Sequence, residues 1–176
     1  MTTLIGEHVY LRALEPEDID YLYDLENDEN LWKVSSTIAP FSRALLTDYI
    51  ANSHRDIYEI RQLRLVICEK NFSHAVGLID LFDFDPQNRR VAVGITIYPE
   101  KERGKGYALE ALECVTRYAF EQLQVHQIYA GITENNQASI SLFEKAKFIM
   151  TGRKKDWTFE AGSYHDELIY QLFRSA

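Results

Sequence analysis

Cysteine is scarce. Only Cys68 and Cys114 occur in 176 residues, each inside an apolar stretch, which excludes the disulfide framework of a small secreted domain and fits a reducing compartment. Both read as small core hydrophobes rather than nucleophiles. Long apolar runs are missing too: Leu65-Val66-Ile67-Cys68 falls far short of the ~20 residues that span a bilayer, and Met1 to Arg12 has no signal-peptide core. The chain therefore reads as soluble and cytoplasmic, with no membrane partner. Positive charge is outweighed, 19 Lys and Arg against 27 Asp and Glu for a formal net charge of −8. The basic footprint of a nucleic-acid binder is absent, and no nucleic-acid partner is expected. The five histidines, His8, His54, His74, His126 and His165, are scattered without ligand spacing, so no metal is expected.

Apolar side chains are plentiful, 46% of the chain, enough for one sizeable core but not comfortably for two, so 1–176 reads as a single domain. Glu7 to Leu14 alternates as a strand, after which Pro16, Ile19, Leu22, Tyr23 and Leu25 follow helical spacing. Asn27 to Phe41 reads as a long irregular loop carrying Leu31, Trp32 and Ile38, and Ser42 as the N-cap of a helix reaching Ser53. Strands are predicted over Gln62 to Lys70, Ala75 to Asp83 and Arg90 to Tyr98, with short turns that make an antiparallel meander. Pro99 ends the third. Gly104 to Leu123 is the clearest amphipathic helix, with Leu109, Leu112, Val115, Ala119 and Leu123 on one face. A strand over Gln127 to Thr133, a helix over Asn136 to Lys145, and strands Ile149 to Phe159 and Tyr164 to Phe173 around Glu160-Ala161-Gly162 follow. The class is α/β (α+β), a mixed sheet flanked by helices.

Chemistry concentrates between Gly94 and Ala108, where a strand passes through Arg103-Gly104-Lys105-Gly106 straight into the strong helix. Glycines there let the backbone fold tightly and aim several N–H groups at an anion such as a diphosphate, at the positive end of the helix dipole. Arg103 and Lys105 are placed to add charge from the side. Glycine punctuation alone would equally suit a plain tight connection. Two phosphate-binding rivals fit poorly: no G-x-x-x-x-G-K-S/T string occurs, and Leu109 stands where a dinucleotide fingerprint wants a third glycine or alanine.

The loop Lys101-Glu102-Arg103-Gly104-Lys105-Gly106 resembles the pyrophosphate loop Q/R-x-x-G-x-G/A of the GNAT superfamily of acetyl-CoA-dependent N-acetyltransferases, with Lys in the first position. Further along, the run from Glu134-Asn135-Asn136 through Leu142-Phe143-Glu144-Lys145 to Phe148 resembles that family's E-N-N-x-A-S-x-x-L-Y-E-K-x-G-F. The opening Val9 to Asp18 and the final strand pair are similar too. In pattern the chain is nearest to spermidine and diamine N-acetyltransferases and to members acting on ribosomal-protein N-termini. The resemblance implies the GNAT fold, a mostly antiparallel mixed sheet splayed between the strand ending at Tyr98 and the strand starting near Gln127. Acetyl-CoA would lie in the split, with a bulge at Gly94. Cofactor contacts are implied from Ile95, Ile97 and Tyr98 on the strand, from Arg103, Gly104, Lys105, Gly106, Tyr107 and Ala108 around the loop, and from Asn136, Phe143 and Lys145. A homo-oligomer is implied as well.

The implied reaction is attack by a neutral primary amine on the thioester carbonyl, with CoA thiolate leaving. Presenting an alkylamine as the free base at pH 7 costs roughly 4.6 kcal/mol, so a base or water relay has value. The tyrosine that meets the thiolate in many relatives is Phe143 here, and the glutamate two residues before the glycine is Ala92. Tyr98, Tyr107 or ordered water remains as a substitute. Asp80 and Asp83 stand at positions acidic in the spermidine and diamine enzymes, three apart on a period-2 strand and therefore on opposite faces unless a bulge intervenes. Asp80 and Tyr98 are the candidate catalytic residues. Glu26, Glu29, Trp32, Asp80 and Asp83 are the candidate acceptor residues, suited to a polyamine or diamine, with Phe41 as a second aromatic wall. A protein N-terminus or an aminoglycoside is the alternative acceptor, and a non-catalytic acyl-CoA sensor is the alternative outside the enzyme class.

Overall fold

The computed structural model describes residues 3–35 and 37–174, the side chains of residues 33 and 34 excepted. Strands β1 (Val9–Ala13), β2 (Leu63–Glu69), β3 (Ala75–Asp85), β4 (Arg90–Ile97), β5 (Gln127–Thr133), β6 (Ile149–Glu160) and β7 (Ser163–Phe173) form a seven-stranded sheet in the order β1-β2-β3-β4-β5-β7-β6. Every neighbouring pair is antiparallel except β4 with β5. Helices α1 (Ile19–Glu26), α2 (Glu29–Ser35), α3 (Arg43–Asn52) and α4 (Ile57–Ile60) lie between β1 and β2, α5 (Tyr107–Glu121) between β4 and β5, and α6 (Gln137–Lys145) between β5 and β6. No helix among the described residues is long and apolar enough to cross a membrane.

Alternation along the central strands sorts the core into two layers. Leu65 and Ile67 of β2 join Val91, Val93, Ile128 and Ala130 against Leu112, Val115 and Ala119 of α5. Val66 and Cys68 turn the other way, with Leu78, onto Leu22, Leu25, Leu31, Leu46 and Ile50 from α1, α2 and α3. Both cysteines are free and buried. Ser42 caps α3, its Oγ accepting from the Leu45 amide at 3.1 Å.

Local pattern misses two elements. The Asn27 to Phe41 segment is not all loop: α2 forms inside it because Leu31 buries against α1 and the Trp32 indole N–H donates to the Glu26 carbonyl at 2.9 Å. The four-residue α4 is the other. The bulge expected at Gly94 is also elsewhere, since the β3–β4 register runs unbroken from Gly77↔Ile97 to Phe82↔Ala92 and slips between Phe82 and Asp85. Asp83 holds φ at 49° there, so the extra residue is on β3. Leu81 and Phe84 consequently enter the same core layer although three apart. The slip turns the β3 stretch beyond it over, so Asp80 and Asp83 are not forced onto opposite faces.

Candidate active site

Strands β4 and β5 pair only at Arg90↔Gln127, Val91↔Ile128 and Ala92↔Tyr129, and then part. From Val93 to Ile97, β4 keeps β3 on one side and offers its other edge to the gap. That edge supplies unpaired peptide groups to a ligand with amides of its own. Val93, Ile95 and Ile97 face the α5 layer, which leaves Ala92, Gly94 and Thr96 on the side of α1 and α3. A Cβ placed on Gly94 would meet only Phe82 Cε1, at 3.5 Å. The space above it is open.

Beyond β4, a 3₁₀ turn over Glu100–Glu102 leads to Gly104 at φ 77° and Gly106 at φ 85°, and Gly106 is the N-cap of α5. These left-handed angles are why glycine stands there. The first α5 bond runs from the Glu110 amide to the Gly106 carbonyl. The amides of Gly104, Lys105, Gly106, Tyr107, Ala108 and Leu109 have no protein acceptor among the described residues, and a Cβ on either glycine would meet nothing within 4 Å. Orphan amides at the positive end of a helix, opening onto free space, fit a diphosphate.

The side chains of the loop behave differently from expectation. Lys105 Nζ is drawn to Glu102 Oε2 at 2.7 Å, and Arg103 Nη1 stands 3.7 Å from Glu100 Oε1. Glu102 is buried and has His74 Nε2 3.6 Å from its other oxygen, while His74 Nδ1 is 4.0 Å from buried Glu69. The Lys105 hydrogen bond holds the Glu102 carboxyl below its usual range and the Lys105 ammonium above its own. Both cationic side chains of the loop are thus already paired. Backbone is what the loop offers.

Tyr98 also departs from its expected part. Its amide donates to Val76 O at 2.9 Å and its carbonyl accepts from Tyr21 Oη at 2.8 Å, so its peptide groups do not line the gap. Its ring meets Tyr21 edge-on at 5.9 Å, and burial, then Asp28 and Asp24, push its hydroxyl up. Tyr98 sits at the loop end of β4, away from the apex of the split. Tyr129 is at the apex, opposite Ala92, and turns away from the layer that takes Ile128 and Ala130. Burial and then Asp83 push its hydroxyl above the ordinary tyrosine range.

Phe143, expected at the cofactor, is 3% exposed and packs edge-on against Phe148 at 5.0 Å. Asn136 spends its side-chain oxygen capping α6, accepting from the Ser139 amide at 3.1 Å, and Lys145 is exposed. Of the acceptor candidates, Glu26 and Asp80 are brought together, but by a residue that pattern reading overlooked. Arg64 donates from Nη1 to Glu26 Oε1 at 2.5 Å and from Nε to Asp80 Oδ1 at 2.6 Å. Burial opposes its charge, yet Asp80 and Glu26 hold the guanidinium firmly protonated. Glu29 is exposed at the start of α2, and Trp32 is half-buried with its indole N–H already spent on Glu26 O. Asp83 is exposed and has no ion-pair partner among the described residues. One signal for Arg64 was available: it is the only charge in the otherwise apolar run from Leu63 to Cys68.

Residues 8–149 match the Acetyltransferase (GNAT) domain family. Similar proteins include a Bacillus subtilis prophage-derived uncharacterized N-acetyltransferase, YokL, 29% identical over 174 residues and covering 99% of this chain and 94% of that protein. The spermidine N(1)-acetyltransferase of Vibrio cholerae is 28% identical over 162 residues, 92% of this chain and 91% of that one. Its counterpart in Escherichia coli K12 is 26% identical over 167 residues, 94% and 86% of the two chains. Among solved structures, spermidine N-acetyltransferase from Vibrio cholerae in complex with CoA and spermine superposes with a TM-score of 0.83 at 25% identity, covering 94% of this chain and 95% of that one.

Proposed function

The chain belongs to the GNAT acetyltransferase family, and from that premise we propose that it acetylates a diamine or polyamine whose distal ammonium is held at Asp83. It is an N-acetyltransferase that uses acetyl-CoA, which supplies the acetyl group as a thioester. The open β4 edge suits the amide-bearing arm of that cofactor, and the free amides from Gly104 to Leu109 suit its diphosphate.

The observation that carries the acceptor class is uncompensated acid on the open side of the split. Asp83 follows Phe82, which pairs with Ala92 opposite Tyr129, and after burial Asp28 and Asp24 push the Tyr98 hydroxyl up. None of the three has a cationic partner among the described residues. Relatives named as spermidine N(1)-acetyltransferases point the same way.

A carboxylate beside the reacting ammonium would hold its proton in place. Asp83 at the distal nitrogen avoids that conflict. The attacking ammonium first gives one proton to water, the N–C bond forms, the C–S bond breaks as the departing sulfur takes up a proton, and the nitrogen's second proton passes through water to restore the group that protonated the sulfur. Tyr129, kept protonated at the apex, is the proposed donor, in place of the more distant Tyr98. With Glu26 and Asp80 committed to Arg64, Asp80 is not assigned the base.

Thiol release across spermidine, spermine, putrescine, a monoamine, an aminoglycoside and a free-N-terminus peptide tests the class. Asp83→Asn tests the anchor, since asparagine tolerates the left-handed angle and the fold is kept. Losing one charge-assisted contact should raise KM for spermidine about tenfold, with kcat nearly unchanged and the monoamine unaffected. An unaltered spermidine KM, or turnover confined to the peptide, would sink the reading.

A further inference from the structure

The surroundings of Arg64 have the composition of a ligand site. Two carboxylates grip its guanidinium, the ring of Tyr49 lies 5.4 Å from its carbon, and the side chains of Arg64, Glu26 and Asp80 are 19%, 13% and 19% exposed. Paired acids with an aromatic face are how proteins hold an alkylammonium or a guanidinium. The register Arg64↔Asp80↔Gly94 sets the cluster on a row that ends at the open β4 edge. Arg64 also lines a half-open pocket of about 130 Å³ together with Tyr49, Asn52, Ser53, Arg55, Ile60 and Gln62. Arg64 therefore lines that pocket and grips two acids at once.

We propose that Arg64 is a specificity-determining residue that fills, from within the chain, a cation subsite of the acceptor groove. Glu26 and Asp80 accordingly take no amine in the native protein, and the acceptor is read by a single distal cation at Asp83. This rests on the amine-acetyltransferase reading above. The cluster carries one net negative charge with Arg64 present and two without it. Removing the side chain vacates the subsite, opens it to the pocket that Arg64 lines, and leaves two acids short of a partner.

Arg64→Ala tests this through binding and turnover separately. Methylguanidinium should raise the melting temperature of Arg64→Ala well beyond an equal ionic strength of potassium chloride, and leave the native protein unmoved. The ratio of kcat/KM for spermine to that for putrescine should rise about tenfold, the equivalent of one added ionic contact. If no amine is turned over by either protein, the acceptor reading has failed, while the methylguanidinium response still reports on the subsite. A folded Arg64→Ala with no methylguanidinium response and the native selectivity overturns the proposal. Should that variant not fold, a crystal structure of the native protein with spermine decides. A spermine nitrogen at Asp83 with Arg64 still gripped supports the proposal, and one bonded to Glu26 or Asp80 overturns it.

Discussion

Replacing Gly106 with alanine separates the loop's backbone geometry from its ligand. Gly106 holds φ at +85° and a Cβ there meets nothing within 4 Å, so the change introduces left-handed strain without a clash. That strain costs about 1–2 kcal/mol, which in a chain of this size lowers Tm by roughly 2–8 °C. Gly162, in the turn between β6 and β7, is a matched control, with the same φ of +85° and the same free surroundings. Gly162→Ala should lose the same stability. The two positions differ in what the neighbouring amides face. Losing one hydrogen bond to the diphosphate in Gly106→Ala is worth about 1.5–3 kcal/mol, or roughly 10–150-fold in CoA affinity. Isothermal titration with CoA beside thermal melts reads both quantities, and Gly162→Ala should bind CoA as the native protein does. Equal CoA affinity in the two variants, after equal loss of Tm, would refute the assignment of the loop amides to the anion.

Two further outcomes follow from the pairing around the site. The carboxylate's share of the Lys105–Glu102 pair is full above about pH 4.3 and lost as pH falls through its lowered value, and the lysine's share is full below about pH 10.4 and lost as pH rises through its raised one. The Tm difference between native protein and Lys105→Met should therefore be flat across neutral pH and shrink at both extremes; growth of the difference towards acid would contradict the pairing. Phe143→Tyr restores the family's hydroxyl at a buried position against Phe148, which should cost about 1–3 kcal/mol in melts if the hydroxyl finds no partner. Turnover should stay within about twofold, whereas a rise approaching the ~10²-fold of an added general acid would place that hydroxyl at the leaving sulfur.

Local pattern was enough for whatever depends on neighbours along the chain. The 3.6-residue spacing of Leu112, Val115 and Ala119 gave α5, short apolar runs bounded by turn residues gave β2 to β5 and the β6–β7 pair, and two glycines before a helix gave the tight turn ahead of α5, because each depends on residues within a few positions of one another. Two motifs in order gave the family and the place of the split. The fate of each charge was different. Whether Glu26 and Asp80 were free to take an amine depended on Arg64, which reaches both only after β2 pairs with β3 and α1 folds onto them. Lys105 looked like a phosphate ligand until the 3₁₀ turn set Glu102 beneath it. Tyr129 became an apex residue only when β5 met β4 in parallel. Ion pairs and strand register join residues far apart in sequence, so their outcome was set by the tertiary arrangement, while periodicity, capping and glycine angles were already written in the order of the residues.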